Sequence, residues 1–161
     1  MSRGFAPVEA AARKDPGVRL FTVLGWDYTR GALHRLYTSH PTEYPAGGEK
    51  RFSRQSPWVR RVVIDQQPYL GRDAAAVAEV FGDHELIASL GCGAVINIPV
   101  VDGDRTLGVV NLLDAEGAYD EASMVAAAPL AALALEPLRA WHAGRAGGPP
   151  IPTDPPAGGH A

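Results

Sequence analysis

The sequence has almost no cysteine, no long apolar run and no strong charge of either sign, and each shortage closes off a class of function. A single cysteine, Cys92, in 161 residues can neither form an internal disulfide nor supply a zinc site built from several thiolates. This fits a reducing compartment. No uninterrupted apolar stretch nears the roughly 20 residues of a membrane span. The opening Met1-Ser2-Arg3-Gly4-Phe5 runs into Glu9, Arg13, Lys14 and Asp15 without the apolar core of a signal peptide. A formal net charge of -3 removes the overall basic signature of a general nucleic-acid binder. A glycine-rich phosphate loop with its lysine and a two-histidine metal pattern are also missing, which leaves nucleotide hydrolysis and zinc catalysis without support. The expectation is a cytoplasmic protein with neither nucleic acid nor membrane as partner.

What is present is 46% apolar and long enough for one domain with a real core. That domain is expected over residues 1–141. Half of residues 142–161 are Gly or Pro, and Ile151 is their one large apolar side chain, so a disordered tail is expected there. Pro149-Pro150-Ile151-Pro152 is its only recognition-peptide candidate.

Within the domain, Pro7 to Lys14 reads as a short helix stopped by Asp15-Pro16-Gly17. Val18–Trp26 and Ala32–His40 read as a hairpin, and residues 41–53 as a long loop of the kind that forms lids. Ser56-Pro57 starts a helix with Trp58, Val59, Val62 and Val63 on one face, expected to end near Gln66. A short strand at Tyr69-Leu70 and two short helices, Ala74–Phe81 and Glu85–Leu90, follow. The runs Ala94–Val101 and Arg105–Leu113 flank Asp102-Gly103 and read as central strands of a second hairpin. Asp120-Glu121 opens a closing helix from Ala122 to Trp141, interrupted or kinked at Pro129 and Pro137. This order predicts an α+β domain, an antiparallel sheet with helices packed on its faces.

Across residues 6–141 the chain resembles a GAF domain, the small-molecule sensor fold related to PAS. Arg61–Leu70 is similar to the family's helix and short strand. Ala94-Val95-Ile96-Asn97-Ile98-Pro99-Val100, Gly103 and Leu107–Leu113 resemble its most recognisable strand pair, and Tyr119-Asp120-Glu121 resembles the start of its C-terminal helix. The resemblance implies a ligand pocket between the sheet and residues 40–92, and homodimerisation through the terminal helices. It does not fix the activity, because the fold hosts many. The cyclic-nucleotide signature of some members has no counterpart here, and Cys92 is followed by Gly93 where bilin-attaching members carry Cys-His. Members that reduce free methionine sulfoxide need a cysteine pair, and their active-cysteine stretch corresponds here to Leu86-Ile87-Ala88-Ser89.

The residues expected to line a small-molecule site are Tyr44, Trp58, His84, Glu85, Ser89, Cys92, Asn97 and Asn111. Asn97 and Asn111 interrupt otherwise apolar strands, and a buried amide must find partners in the protein or in a ligand. Tyr44 and Trp58, with His40 and Lys50, would form an aromatic, hydrogen-bonding wall. Cys92 and His84 are the catalytic candidates of an alternative enzyme reading, a nucleophile with a nearby base. No cofactor is expected, with haem on His34, His40 or His84 as the alternative. Lys50, Arg51, Arg54, Arg60 and Arg61, beside the helix start at Ser56, form either an anion-attracting patch or a solvated face.

Overall fold

The computed structural model describes residues 2–51 and 56–146. A 3-10 turn (Ser2–Phe5) leads into α1 (Ala6–Lys14), whose proline sits in the first turn, where its missing N–H costs nothing. Then come β1 (Leu20–Asp27), β2 (Ala32–Thr38) and β3 (Glu49–Arg51). A single helical turn, α2 (Pro57–Val59), passes directly into a π-helix (Arg60–Ile64), marked by a hydrogen bond from Asp65 N–H to the Arg60 carbonyl at 2.7 Å. β4 (Tyr69–Gly71), α3 (Ala74–Val80), α4 (His84–Ser89), β5 (Ala94–Asp102) and β6 (Arg105–Asp114) follow, and α5 (Glu121–Ala127) and α6 (Leu130–Ala146) close the chain.

The six strands form one sheet in the order β3-β2-β1-β6-β5-β4, every neighbouring pair antiparallel. β1, β5 and β6 lie inside it and are almost wholly buried, so their sequences are apolar on both alternating faces rather than one. One face, carrying Phe21, Val23, Ile96, Ile98, Val110 and Leu112, packs under α1, α5 and α6 through Val8, Ala12, Ala127, Leu130, Ala134 and Leu138. The opposite face carries Leu20, Leu24, Trp26, Val95, Val109 and Leu113. It is roofed by α2, the π-helix, α3 and α4 through Trp58, Val59, Val62, Val63, Val77 and Ile87.

Four boundaries differ from the sequence reading. Residues 41–53 are not all loop, because β3 adds a short edge strand opposite Ala32–His34. Three residues, Glu-Lys-Arg, carry no apolar alternation to announce a strand. The helix at Ser56 ends at Ile64, where Gln66 turns left-handed (φ 60) and its side-chain amide donates to the Asp104 carbonyl at 3.1 Å and to Thr106 Oγ1 at 3.2 Å. The closing helix breaks at Pro129 as expected, its two halves meeting at 46°, but it does not end at Pro137, which sits inside α6. The domain does not stop at residue 141, because α6 continues to Ala146, held by tertiary contacts that outweigh its local composition. His142 Nε2 lies 2.9 Å from the Leu107 carbonyl, and Arg145 pairs with Asp27 at 2.6 Å. The rest of the expected tail, residues 147–161, falls outside the described residues.

α5 begins as its sequence predicts. Asp120 accepts the Ser123 N–H at 3.0 Å, and Ser123 Oγ accepts the Asp120 N–H at 3.0 Å, a reciprocal capping box. No single helix among the described residues is long and apolar enough to cross a membrane.

Candidate functional site

The roofed face carries a row of polar side chains straight across the sheet. Thr38 lies opposite Thr22, Thr22 opposite Asn111, Asn111 opposite Asn97, and Asn97 opposite Tyr69. Side chains of directly opposed residues share one face. The middle of the row is a hydrogen-bond chain with a foot in the roof. Trp58 Nε1 donates to Asn97 Oδ1 at 2.9 Å, Asn97 Nδ2 donates to Asn111 Oδ1 at 2.6 Å, and Asn111 Nδ2 donates to Thr22 Oγ1 at 3.0 Å. All four residues are buried, Asn97 completely. Each amide therefore finds in the protein a partner that a covered sheet would otherwise deny it.

Of the residues singled out in the sequence, the fold brings Trp58, Asn97 and Asn111 into this chain. Tyr44 and Cys92 fall in a neighbouring apolar cluster with Leu20, Val77, Phe81, Ile87, Val95 and Leu113. Tyr44 pins the segment after β2 onto the roof, its hydroxyl donating to Asp83 Oδ2 at 2.7 Å while the Arg35 guanidinium lies 3.8 Å over its ring. Burial and that hydrogen bond to a carboxylate push the phenol well above its usual range. Arg35 also donates to the Pro45 carbonyl at 2.8 Å. The residues from 40 to 48 are thus strapped down at two points. His84 opens α4 half-buried. Glu85 and Ser89 are exposed on α4, and the Ser89 hydroxyl donates back to the Leu86 carbonyl at 2.6 Å.

The histidines raised as haem ligands are engaged elsewhere or lie apart from the row. His34 Nε2 stands 3.1 Å from Asp27, and His40 Nδ1 stands 2.9 Å from Ser39 Oγ. Among the described residues no group of three or more His, Cys, Asp or Glu is placed to hold a metal ion. Of the basic run, Arg60 and Arg61 are exposed on the π-helix. The Lys50 and Arg51 side chains and all of Arg54 fall outside the described residues.

Cys92 is buried, and burial, with Asp114 nearby, pushes its thiol up to about 11 against the opposing pull of Arg19. Among the described residues no imidazole hydrogen-bonds to it, so it lacks the base that a Cys/His nucleophile requires. In the folded protein Cys92 is expected to react with a thiol reagent at about pH 8 roughly 100-fold more slowly than a free cysteine. The rate should climb as pH rises toward the thiol's own value. Urea should abolish the difference, whereas fast labelling of the native protein would restore Cys92 as a nucleophile.

Sequence reasoning did not single out Thr22, Thr38, Trp26 or Asp27. The first two are ordinary strand residues whose meaning lies in what faces them. Trp26 belongs to the roofed cluster with Leu24, Leu33, Trp58, Val59, Val62, Val63 and Val109, and is 3% exposed. Among the described residues its indole N–H has no hydrogen-bond acceptor. Such a group costs free energy until something accepts from it.

A six-stranded antiparallel sheet, roofed on one face by short helices around aromatic and amide side chains and covered on the other by the terminal helices, places the chain among the α+β folds. The fold is that of GAF domains. The GAF/HD-domain protein of Geobacter sulfurreducens superposes with a TM-score of 0.67 at 11% identity, over 88% of this chain and 93% of that one. The PixJ GAF domain of Thermosynechococcus elongatus, in its blue-light-absorbing form, gives 0.63 at 18% identity over 90% of each chain. The GAF domain of an Acinetobacter phosphoenolpyruvate-protein phosphotransferase gives 0.62 at 17%, over 90% of this chain and 83% of that one. No family model matches the sequence, and neither does any curated protein.

Proposed function

We propose that this chain is a GAF-type sensor or regulatory domain that takes a small molecule between its sheet and its roof, in the cytoplasm, and pairs with a second copy through its terminal helices. The observation that carries the reading is the Trp26 indole N–H, buried in the roofed layer without an acceptor among the described residues. An apolar, aromatic-lined layer with a few fixed polar groups is the usual make-up of a small-molecule site. The π-helix above it adds support, since such bulges are frequent at functional sites. The ligand would be a compact metabolite bearing a hydrogen-bond acceptor, of polar or anionic character. Pairing rests on the outward residues of α5 and α6, where Val125 is 75% and Leu133 49% exposed.

Native mass spectrometry and an absorption spectrum of freshly purified protein, followed by a thermal-shift screen of metabolites, test this. The expected results are a retained small mass or a raised Tm, with a dimer in the same native spectrum. A hundredfold excess over Kd stabilises by about 2.7 kcal/mol. Trp26→Phe should reduce the Tm rise while leaving the apo-protein folded. An empty protein whose Tm no compound raises would overturn the sensor reading, and an undiminished rise in the variant would remove Trp26 from the site. A monomer would overturn the pairing.

A further inference from the structure

On the sheet face away from the roof, one buried carboxylate fastens the end of α6 to the β1–β2 hairpin. Asp27 is 4% exposed. Its Oδ1 accepts the backbone N–H groups of Thr29 at 3.0 Å and Arg30 at 3.2 Å. Its Oδ2 accepts from Arg145 at 2.6 Å and lies 3.1 Å from His34 Nε2. With Asp27 ionised, that imidazole nitrogen is a donor, so two side chains from different elements share one oxygen. Between them stands Trp141, with the Arg145 guanidinium 4.6 Å above its ring and the His34 ring 5.6 Å away.

The other charged and titratable groups around His34 come from three places. Glu49 of β3 has Oε1 4.0 Å from His34 Nε2, and Arg30 of the hairpin turn pairs with Glu49 at 3.3 Å. His142 of α6 packs on Trp141 at 4.7 Å with its Nε2 on the Leu107 carbonyl. Among the described side chains, two carboxylates and two guanidinium groups surround His34, and a proton on His34 adds one positive charge to them.

We propose that this cluster is a pH-operated latch on the last turn of α6. Neutral His34 lets Arg145 hold Asp27 and seats the turn. A proton on His34 makes two cations compete for one carboxylate oxygen and one indole, and the turn lifts from the sheet. Arg145 yields rather than His34, because His34 lies inside the sheet on β2 while Arg145 is 42% exposed at a helix end. Histidine is the side chain whose unperturbed titration falls between about pH 5 and 8, and the test below takes its two pH values from that range. Asp27 does not share that titration. Burial pushes its carboxyl upward, but the hydrogen bonds from His34 and the Arg30 N–H and the charge of Arg145 outweigh burial and hold it below the usual carboxylate range. Its contribution is therefore lost only as pH falls through that lowered value, well beneath the imidazole range.

The test uses the full chain with a nitroxide at Ala143→Cys, an exposed α6 position, and Cys92→Ser to leave one thiol. Electron paramagnetic resonance at about pH 8 and about pH 5.5 is expected to show the mobile fraction rising roughly fivefold to tenfold in acid, the size of one partly exposed charge interaction. His34→Gln keeps a neutral donor at every pH and should hold the label immobile at both. Arg145→Ala should leave it mobile at both, with circular dichroism unchanged. Equal mobility of the unaltered latch at the two pH values overturns the proposal, as does an undiminished acid response in His34→Gln. Neither result depends on whether a metabolite binds under the roof.

Discussion

Replacing Asn97 with alanine should lower the unfolding free energy by about 3–5 kcal/mol, because it strips partners from two buried groups at once and opens a cavity. Trp58 Nε1 loses its acceptor and Asn111 Oδ1 loses its donor, both in a part of the structure closed to water. Asn111 remains bonded to Thr22, but the roof loses its polar anchor to the sheet. The measurement is urea unfolding, where the midpoint should fall with the slope unchanged. The double variant Trp58→Phe with Asn97→Leu should cost less than the sum of its parts, since removing both partners leaves no orphaned group between them. A loss of less than about 1 kcal/mol for Asn97→Ala would mean that water or a rearranged side chain takes its place.

Gly108→Ala is expected to be as damaging, for a steric reason. Gly108 and Gly25 sit opposite each other on β6 and β1, and α6 lies against both. A Cβ at Gly108 would stand 2.2 Å from the Leu24 carbonyl oxygen and 3.0 Å from Leu138. The carbonyl belongs to the neighbouring strand and cannot withdraw without disturbing the β1–β6 pairing. A cost of about 3 kcal/mol or more follows, at the upper end of overpacking effects, and should appear as a large fall in Tm or as insoluble protein. Gly25→Ala offers the contrast. There the added Cβ would lie 2.6 Å from the Trp141 ring, a side chain near a helix end that can swing away. Its effect should be smaller and local, freeing the last turn of α6 while the sheet melts as before. If Gly108→Ala melts like the unaltered protein, α6 does not approach the sheet this closely.

The parts of this fold that were legible in the sequence are those where local chemistry and tertiary need coincide. Asp102-Gly103 between two β-branched runs marked the central hairpin, and Gly103 indeed turns with φ 66. Ser56-Pro57 and Asp120 marked helix starts that the structure caps with those same side chains. The order of elements pointed to an α+β domain, and the resemblance carried by Arg61–Leu70, Ala94–Val100 and Leu107–Leu113 pointed to the GAF fold. What remained hidden depends on partners far away in the chain. β3 exists because β2 offers it an edge, and α6 runs past Trp141 because Gly25, Leu107 and Asp27 receive it. The two asparagines were visible as polar interruptions, but their partners were not. Asn111 answers to a threonine 89 positions earlier, and Asn97 to a tryptophan 39 positions earlier. No periodicity encodes such a pairing.

The polar row also fixes alignment. β5 and β6 are apolar at nearly every buried position, so burial alone distinguishes poorly between alternative registers of the two strands. A slip by two residues would keep every side chain on its present face. It would, however, set Asn97 against Val109 or Leu113, and Asn111 against Val95 or Pro99. The bond between them would be lost, leaving Asn97 Nδ2 and Asn111 Oδ1 buried without their present partners, at roughly 1–3 kcal/mol each. β1 is keyed in the same way, since its Thr22 would give way to Leu20 or Leu24 opposite Asn111. The asparagine pair thus works as a pin that lets three adjacent strands of nearly uniform hydrophobicity lock in one alignment and no other.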